Sequence, residues 1–413
     1  MRIAIVGAGI SGIACAMGLK DHHEVTLYES RDRLGGHAHS VTVEHEGRTI
    51  GVDTGFIVYN ERNYPRLTRF FRDLGVETKD APMTFGVRDD RSGICYGGEN
   101  LNTLFAQRRN LLNPRFWRLI RDARRFFREA ADAIEHEHDD ATLGAFLDAH
   151  GYSRDVAELF LIPMGGAIWS SSDAQMRGFP LRFFVRFFDN HGMLTLRDRP
   201  RWRTVVGGSR RYVDAARQRL GDRVRLSSPV RSVVRGTEGV TLTTDAGEER
   251  YDEVVLACHS DQALAVLGDA SGAEREILGA IPYQSNDTVL HTDPSLMPGV
   301  RRAWSAWNAR RTTEGRDRAV VTYDLTILQS LETREHLLVS LNQTEDIDPT
   351  KVLMRTTYDH PLYTIEGERA KARYGEIGGV RRTHFAGAYW FNGFHEDGMR
   401  SAERVCAHLG VSL

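Results

Sequence analysis

Arg2-Ile3-Ala4-Ile5-Val6-Gly7-Ala8-Gly9-Ile10-Ser11-Gly12 opens the chain almost at its first residue, and the reading of this stretch decides the fold. Arg2 to Val6 is a short β-branched run of the kind that forms a buried parallel strand. It runs into Gly7-Ala8-Gly9-Ile10-Ser11-Gly12, a G-x-G-x-x-G sequence. The first glycine allows the tight turn, the second lets backbone approach a pyrophosphate, and the third lets helix and strand pack closely. The spacing predicts a helix over Ile13 to Lys20, whose N-terminal N–H groups would face phosphate. A second strand, Glu24 to Tyr28, then delivers Glu29 to where a carboxylate takes the hydroxyls of an adenosine ribose, followed by Ser30 and Arg31. Strand, glycines, helix, strand and acid in this order predict a dinucleotide-binding unit.

The rest of the composition narrows the function classes. A net charge of −2 over 413 residues gives no reason to expect nucleic acid. Cys15, Cys95, Cys258 and Cys406 are scattered without a C-x-x-C, so no zinc site and no disulfide framework is expected. No apolar run reaches the length of a membrane span, and the N-terminal apolar stretch is broken by glycines before it could serve as a signal segment. A cytoplasmic protein is expected, with peripheral contact at the inner membrane face left open.

Ser30-Arg31-Asp32-Arg33-Leu34-Gly35-Gly36-His37 brings a second glycine pair directly after the ribose acid, which a fold binding only NAD does not need. Here the chain resembles the FAD-dependent amine-oxidase-like superfamily, which includes monoamine oxidases, protoporphyrinogen oxidase and phytoene desaturases. His37 stands where that pattern usually has an arginine. Gly51-Val52-Asp53-Thr54-Gly55-Phe56 is similar to the segment that runs along the flavin, implying roles for Thr54, Gly55 and Phe56. Gly207-Gly208-Ser209 resembles the return to the first domain, and Val230 takes the position of a valine that touches adenine. Thr383 to Tyr389 carries the F-A-G sequence, and Gly393 to Ser401 opens a last helix. The resemblance implies that Gly387 lies near the pyrophosphate and ribityl, Gly398 and Met399 near the flavin pyrimidine, and Phe394 beside the flavin ring.

The expected fold is therefore α/β: a discontinuous, Rossmann-like FAD-binding domain with an inserted α+β substrate domain. Its parts are expected at 1–80, 201–270 and 376–413 for the FAD domain, and at 81–200, mainly helical, and 271–375 for the substrate domain. The resemblance implies FAD as cofactor, and no histidine or cysteine stands in a recognised attachment motif, so the expectation is non-covalent binding. Pro163 to Ser170, interrupted by two glycines, is expected to bend against the flavin or substrate.

Two helical stretches carry further signals. Arg115, Arg118, Arg121, Arg124, Arg125 and Arg128 alternate with Phe116, Trp117, Phe126 and Phe127, the pattern of a helix lying on anionic lipid headgroups or of a solvated arginine face. Phe179, Phe183, Phe184, Phe187 and Phe188 predict a buried helix face that either packs the core or lines an apolar tunnel.

Amine oxidases of the superfamily place a lysine near the flavin on the strand corresponding to Tyr283 to Pro294. This stretch has none, with Asn286 nearest to that position, and lysine occurs only at Lys20, Lys79, Lys351 and Lys371. The phrases His291-Thr292-Asp293, Leu338 to Asn342 and His360-Pro361-Leu362-Tyr363 resemble a bacterial subgroup encoded beside cyclopropane-fatty-acid-synthase-like enzymes. Three functions follow as expectations: an FAD oxidoreductase taking hydride from a lipid or fatty acyl chain, an amine oxidase with an atypical site, and a flavin-binding accessory protein of a lipid-modifying enzyme. The first also needs a proton acceptor, for which His395 and then His291 are the candidates.

Overall fold

The computed structural model describes residues 1–195, 198–313 and 317–413. At its centre, β1 (Arg2–Val6) is the middle strand of a five-stranded sheet. β2 (Glu24–Tyr28) pairs on one side and Glu253–Leu256 on the other, so that Val6 stands opposite both Tyr28 and Leu256. Val224–Arg225 and Thr383–Phe385 complete the sheet at its edges, and all pairings are parallel. Ile3, Ile5, Leu27, Val254, Val255 and Leu256 are fully buried, as expected of parallel strands covered on both faces. Helix α1 (Ile10–Leu19) begins earlier than the sequence predicts, because Gly9 already serves as its N-cap.

The strands of this sheet fall at 1–80, 201–270 and 376–413, three stretches separated by long insertions. The strands of a second sheet all lie at 81–200 and 271–375. In spatial order they are Val352–Pro361, Tyr283–His291, Leu338–Leu341, Val321–Asp324, Trp307–Arg311, Phe85–Asp89 and Ile94–Gly97. Its pairings are antiparallel except for Trp307–Arg311 with Phe85–Asp89. Asp53 fastens the first sheet's return to this arrangement. Its buried carboxylate accepts hydrogen bonds from Ser209 N at 2.9 Å, Ser209 Oγ at 2.7 Å and Ser40 Oγ at 2.5 Å.

The helices between the sheets correct one expectation, the bend at Pro163 to Ser170. Ile162–Trp169 is a continuous helix rather than a bend, closed by Ser170 at φ +55°. Its glycines serve close packing: a Cβ on Gly165 would lie 2.3 Å from Met176 Cε, and one on Gly166 would lie 2.8 Å from Ser171 O. In the arginine-rich helix Pro114–Ala133 the apolar stripe is committed to the core, with Phe116, Leu119, Phe126 and Ala130 buried. That stripe is therefore not free to lie in a bilayer. Leu181–Asn190 buries Phe184 and Phe188 in the same core, stacked with centroids 4.0 Å apart. No helix among the described residues is long and apolar enough to cross a membrane.

Candidate active site

One cavity of about 570 Å³ runs from the C-terminal ends of β1 and β2 into the space under the seven-stranded sheet. The glycines after β1 shape its first wall. Gly7 sits at φ +101°, and a Cβ on Gly12 would lie 1.8 Å from Gly7 O, so the turn closes only with glycine at both positions. A Cβ on Gly9 meets nothing within 4 Å, so backbone at Gly9 opens directly onto the cavity. Glu29 is buried and fixed from both sides: Oε2 accepts from Ala8 N and Oε1 from Arg31 N, each at 2.9 Å. Oε1 also accepts from Ser30 Oγ at 3.2 Å, and Oε2 keeps acceptor capacity for a ribose hydroxyl.

Gly7, Gly9, Ser11, Glu29, Ser30, Arg31, Gly35, Gly36, His37, Thr54, Gly55, Phe56, Val230, Gly387, Phe394 and His395 all line this cavity. The other expected site residues do not. Gly12 is needed for the turn. Gly398 keeps the terminal helix His395–His408 against α1, since a Cβ there would lie 2.6 Å from Ile10 Cγ2. Met399 is buried in the core of the first domain. The start of the terminal helix does face the cavity, but through Phe394 and His395, one turn before the two positions expected.

His291 is corrected as well. It is fully buried in the middle of its strand, with Nε2 bonded to Ser340 Oγ at 2.8 Å and Nδ1 accepting from Asp293 N at 3.0 Å, and it is not part of the cavity wall. Asn286 stands one layer behind the wall. Its Nδ2 donates to His360 Nδ1 at 3.1 Å and its Oδ1 accepts from Asn342 Nδ2 at 2.9 Å, so it holds the lining residue His360 with Nε2 as the protonated nitrogen.

The sequence reading missed most of the histidine and tyrosine wall. His37 lies with ring centroids 5.2 Å from Tyr358, 5.3 Å from His360 and 6.0 Å from His259, and His259 stacks on Tyr283 at 4.3 Å. Burial pushes His360 down to about 4 and holds His37 well below its ordinary value, so both imidazoles are neutral near pH 7. His37 Nε2, His259 Nδ1, Tyr363 Oη and Tyr389 Oη are buried without a hydrogen-bond partner among the described residues. Buried polar atoms of this kind call for a partner. Together with the open backbone at Gly9 and the free acceptor capacity of Glu29, they fit an FAD held by residues of all three segments. One signal was available beforehand: His259 follows the buried strand Glu253–Leu256 at the sheet edge where ligands bind.

His395 packs flat on Phe56, with ring centroids 3.6 Å apart, and its Nε2 bonds Tyr212 Oη at 3.1 Å. Burial lowers its pKa to about 3, which makes it a weak proton acceptor and a positioning contact for Phe56. Two residues on, burial raises Asp397 to about 7, although its carboxylate accepts from Phe394 N at 3.0 Å.

The far end of the cavity is built by the inserted segments together with Trp202, at the start of the segment 201–270. Trp169, Phe187, Trp202, Trp307, Tyr323 and Leu341 form its wall, and Phe187 stacks on Phe394 with centroids 5.0 Å apart. The phenylalanine helix thus does both things expected of it, packing the core through Phe184 and Phe188 and lining the cavity through Phe187. The described lining contains no lysine. Lys371 lies behind it, with Nζ 4.7 Å from the Tyr363 ring centroid, donating to Phe391 O at 3.0 Å and paired with Glu368.

The family model described as flavin containing amine oxidoreductase matches residues 10–341. AofH of Mycobacterium tuberculosis, assigned there as a flavin-containing monoamine oxidase, is 27% identical over 288 residues, 65% of this chain and 59% of that protein. Human flavin-containing amine oxidase B is 24% identical over 255 residues, 60% of this chain and 48% of that protein. The chain therefore matches only about half to three-fifths of the length of these relatives. Among solved structures, putrescine oxidase bound to putrescine superposes with a TM-score of 0.70 at 17% identity, covering 99% of both chains. A CLA-producing fatty acid isomerase from P. acnes gives 0.70 at 16% identity, covering 98% of both.

Proposed function

Because the chain belongs to the flavin-containing amine oxidoreductase family, with FAD as its cofactor, we propose that it removes hydride from a C–H bond of an apolar substrate, a lipid or fatty acyl chain. The observation that carries this reading is the distribution of charge along the cavity. The charged groups in its described lining are Glu29 and Arg31 beside the glycine turn and Asp359 beside His360, while the aromatic end has none. Such a wall gives an alkyl chain a dry, shaped surface and offers no carboxylate to an ammonium group.

Bound FAD supplies the hydride acceptor, and electrons then pass to oxygen or another acceptor. The chain's own residues do the rest. Glu29, the glycine turn and the histidine wall hold the cofactor end. Phe56, fixed by His395, and Phe394, fixed by Phe187, border the reacting region with flat apolar surfaces. Forming a double bond sends hydride from one carbon to the flavin and a proton from its neighbour to a neutral imidazole of the wall, for which His37 and His259 are the candidates, since His37 Nε2 and His259 Nδ1 have no hydrogen-bond partner among the described residues. His360, neutral and held by Asn286, is a group on the wall that can donate from Nε2 to an oxygen of the ligand.

A second reading, amine oxidation, is favoured by the rings of Trp169, Phe187, Tyr363 and Phe394, whose faces can hold a cation without a carboxylate. The two are separated by product analysis. Holoprotein is incubated in air with phospholipid, with free fatty acid and with primary amines, and products are read by mass spectrometry. Acyl chains that have lost two hydrogens support the proposal, aldehyde and ammonia support the amine reading, and no product with either class overturns both and leaves an accessory role.

A further inference from the structure

We propose that the surface formed by Leu101–Leu104, Arg108–Leu112 and the first turns of Pro114–Ala133 docks on an anionic lipid bilayer. The apolar stripe of the helix is buried, so docking has to use what remains outside. Large apolar side chains stand exposed at eight described positions, and four of them lie within this short region: Leu101 at 74%, Leu111 at 46%, Leu112 at 89% and Trp117 at 48%. They form one patch. Trp117 Nε1 donates to Leu111 O at 2.9 Å, its ring lies 5.3 Å from that of Phe105, and Phe105 N donates to Leu101 O at 3.0 Å.

The charge around this patch is predominantly positive. From 101 to 128 the chain carries Arg108, Arg109, Arg115, Arg118, Arg121, Arg124, Arg125 and Arg128 against the single acid Asp122. Asp122 is buried and bonds Arg121 and Ser153 N. Arg115 pairs with Asp155, and Arg125 and Arg128 share Glu129. Arg108 bonds Phe105 O and Asn102, and Arg109 bonds Gly93 O, so both keep their charge uncompensated. Arg118 and Arg124 are exposed and make no ion pair among the described residues. Arg301 and Arg302 stand exposed on the neighbouring turn, and Glu99 is the exposed acid at the edge of the region.

Exposed leucines and a tryptophan ringed by arginines match the bilayer boundary: the apolar groups enter below the headgroups while guanidinium groups bond lipid phosphates. A protein partner would need an apolar, acid-rimmed face of matching shape. The bilayer supplies both properties without one. This inference extends the acyl-chain reading but rests on residues outside the cavity, and vesicle binding does not read turnover, so either can fail alone.

The test is flotation of the full holoprotein with vesicles of phosphatidylcholine, with and without phosphatidylglycerol, in low and high salt. Three variants are compared: Arg118→Glu with Arg124→Glu, Leu112→Ser with Trp117→Ala, and Arg231→Glu as a control on a remote face. Flavin content and melting temperature verify that each is folded. The expected result is binding only to phosphatidylglycerol vesicles, weakened by salt, and at least about tenfold weaker in both docking variants and unchanged in the control. Absence of binding by the wild-type protein overturns the proposal. So does binding that both docking variants retain, or binding that inorganic phosphate abolishes while Leu112→Ser with Trp117→Ala leaves it intact, which would mark a site for free phosphate.

Discussion

The two ends of the cavity are built by opposite means. The cofactor end is made of backbone, glycine and a few fixed polar groups, and a single added methyl at Gly12 would collide with Gly7 O at 1.8 Å. The insert end is made of aromatic side chains whose rings touch at 4 to 6 Å, as Phe187 does with Phe394 at 5.0 Å and Trp169 with Phe187 at 4.8 Å. The first design admits almost no change in residue type. The second holds its shape by volume and can be altered one ring at a time while the fold survives. The difference separates a fixed cofactor requirement from an adjustable substrate preference.

Substitutions at the two ends should therefore fail in different ways. Gly12→Val has the largest expected effect: the purified protein should carry at least about tenfold less flavin, read from the visible spectrum against protein absorbance, because a side chain there blocks the turn itself. Phe187→Ala should leave flavin content unchanged while lowering kcat/KM for an acyl substrate by about tenfold or more. Its neighbour Phe184→Ala, fully buried away from the cavity, should cost about 3–5 kcal/mol in chemical denaturation and spare flavin binding. Equal losses of turnover and flavin in Phe187→Ala would erase the distinction between the two ends.

Asp397, at the junction of the two ends, gives a pH-dependent contrast. Its folded pKa of about 7 lies above that of an exposed carboxyl, so its contribution to stability is fully present below pH about 4 and is lost as pH rises through 7. Asp397→Asn removes this dependence and keeps an oxygen to accept from Phe394 N. Its melting temperature relative to wild type should climb from pH 5 to pH 7, by an amount equivalent to roughly 1.4 kcal/mol for each pH unit crossed, and level off above pH 7. A constant difference across that range would place the buried charge elsewhere. The smallest effect is expected at His395. His395→Gln retains a partner for Tyr212, and flavin reduction should slow by less than about threefold, whereas loss of a general base would slow it by about a hundredfold or more.

The sequence revealed the cofactor end because backbone geometry dictates residue type there. Gly7, Gly9, Glu29, Gly36 and Gly55 could be assigned from spacing and resemblance, and all of them line the cavity. Gly398 and Met399 lie one turn beyond the part of the terminal helix that borders the cavity, and Gly398 packs tightly on Ile10. The histidine wall was legible only at His37, for a different reason. His37, His259 and His360 come from three distant strand ends, and nothing in their local sequence states that the topology brings their rings within 6.0 Å. The arginine helix shows the same limit: the sequence grouped Phe116, Trp117, Phe126 and Phe127, but only the fold shows that Phe116 and Phe126 are buried while Leu111, Leu112 and Trp117 remain outside.

The most direct test of the account is anaerobic mixing of the holoprotein with defined reductants, followed at the visible flavin maximum. Phospholipid or fatty acid should bleach the flavin, primary amines should not, and Phe187→Ala should slow the bleaching by acyl substrate at unchanged flavin content. Bleaching by amines with none by acyl chains would contradict this, and would assign the aromatic end of the cavity to a cation instead.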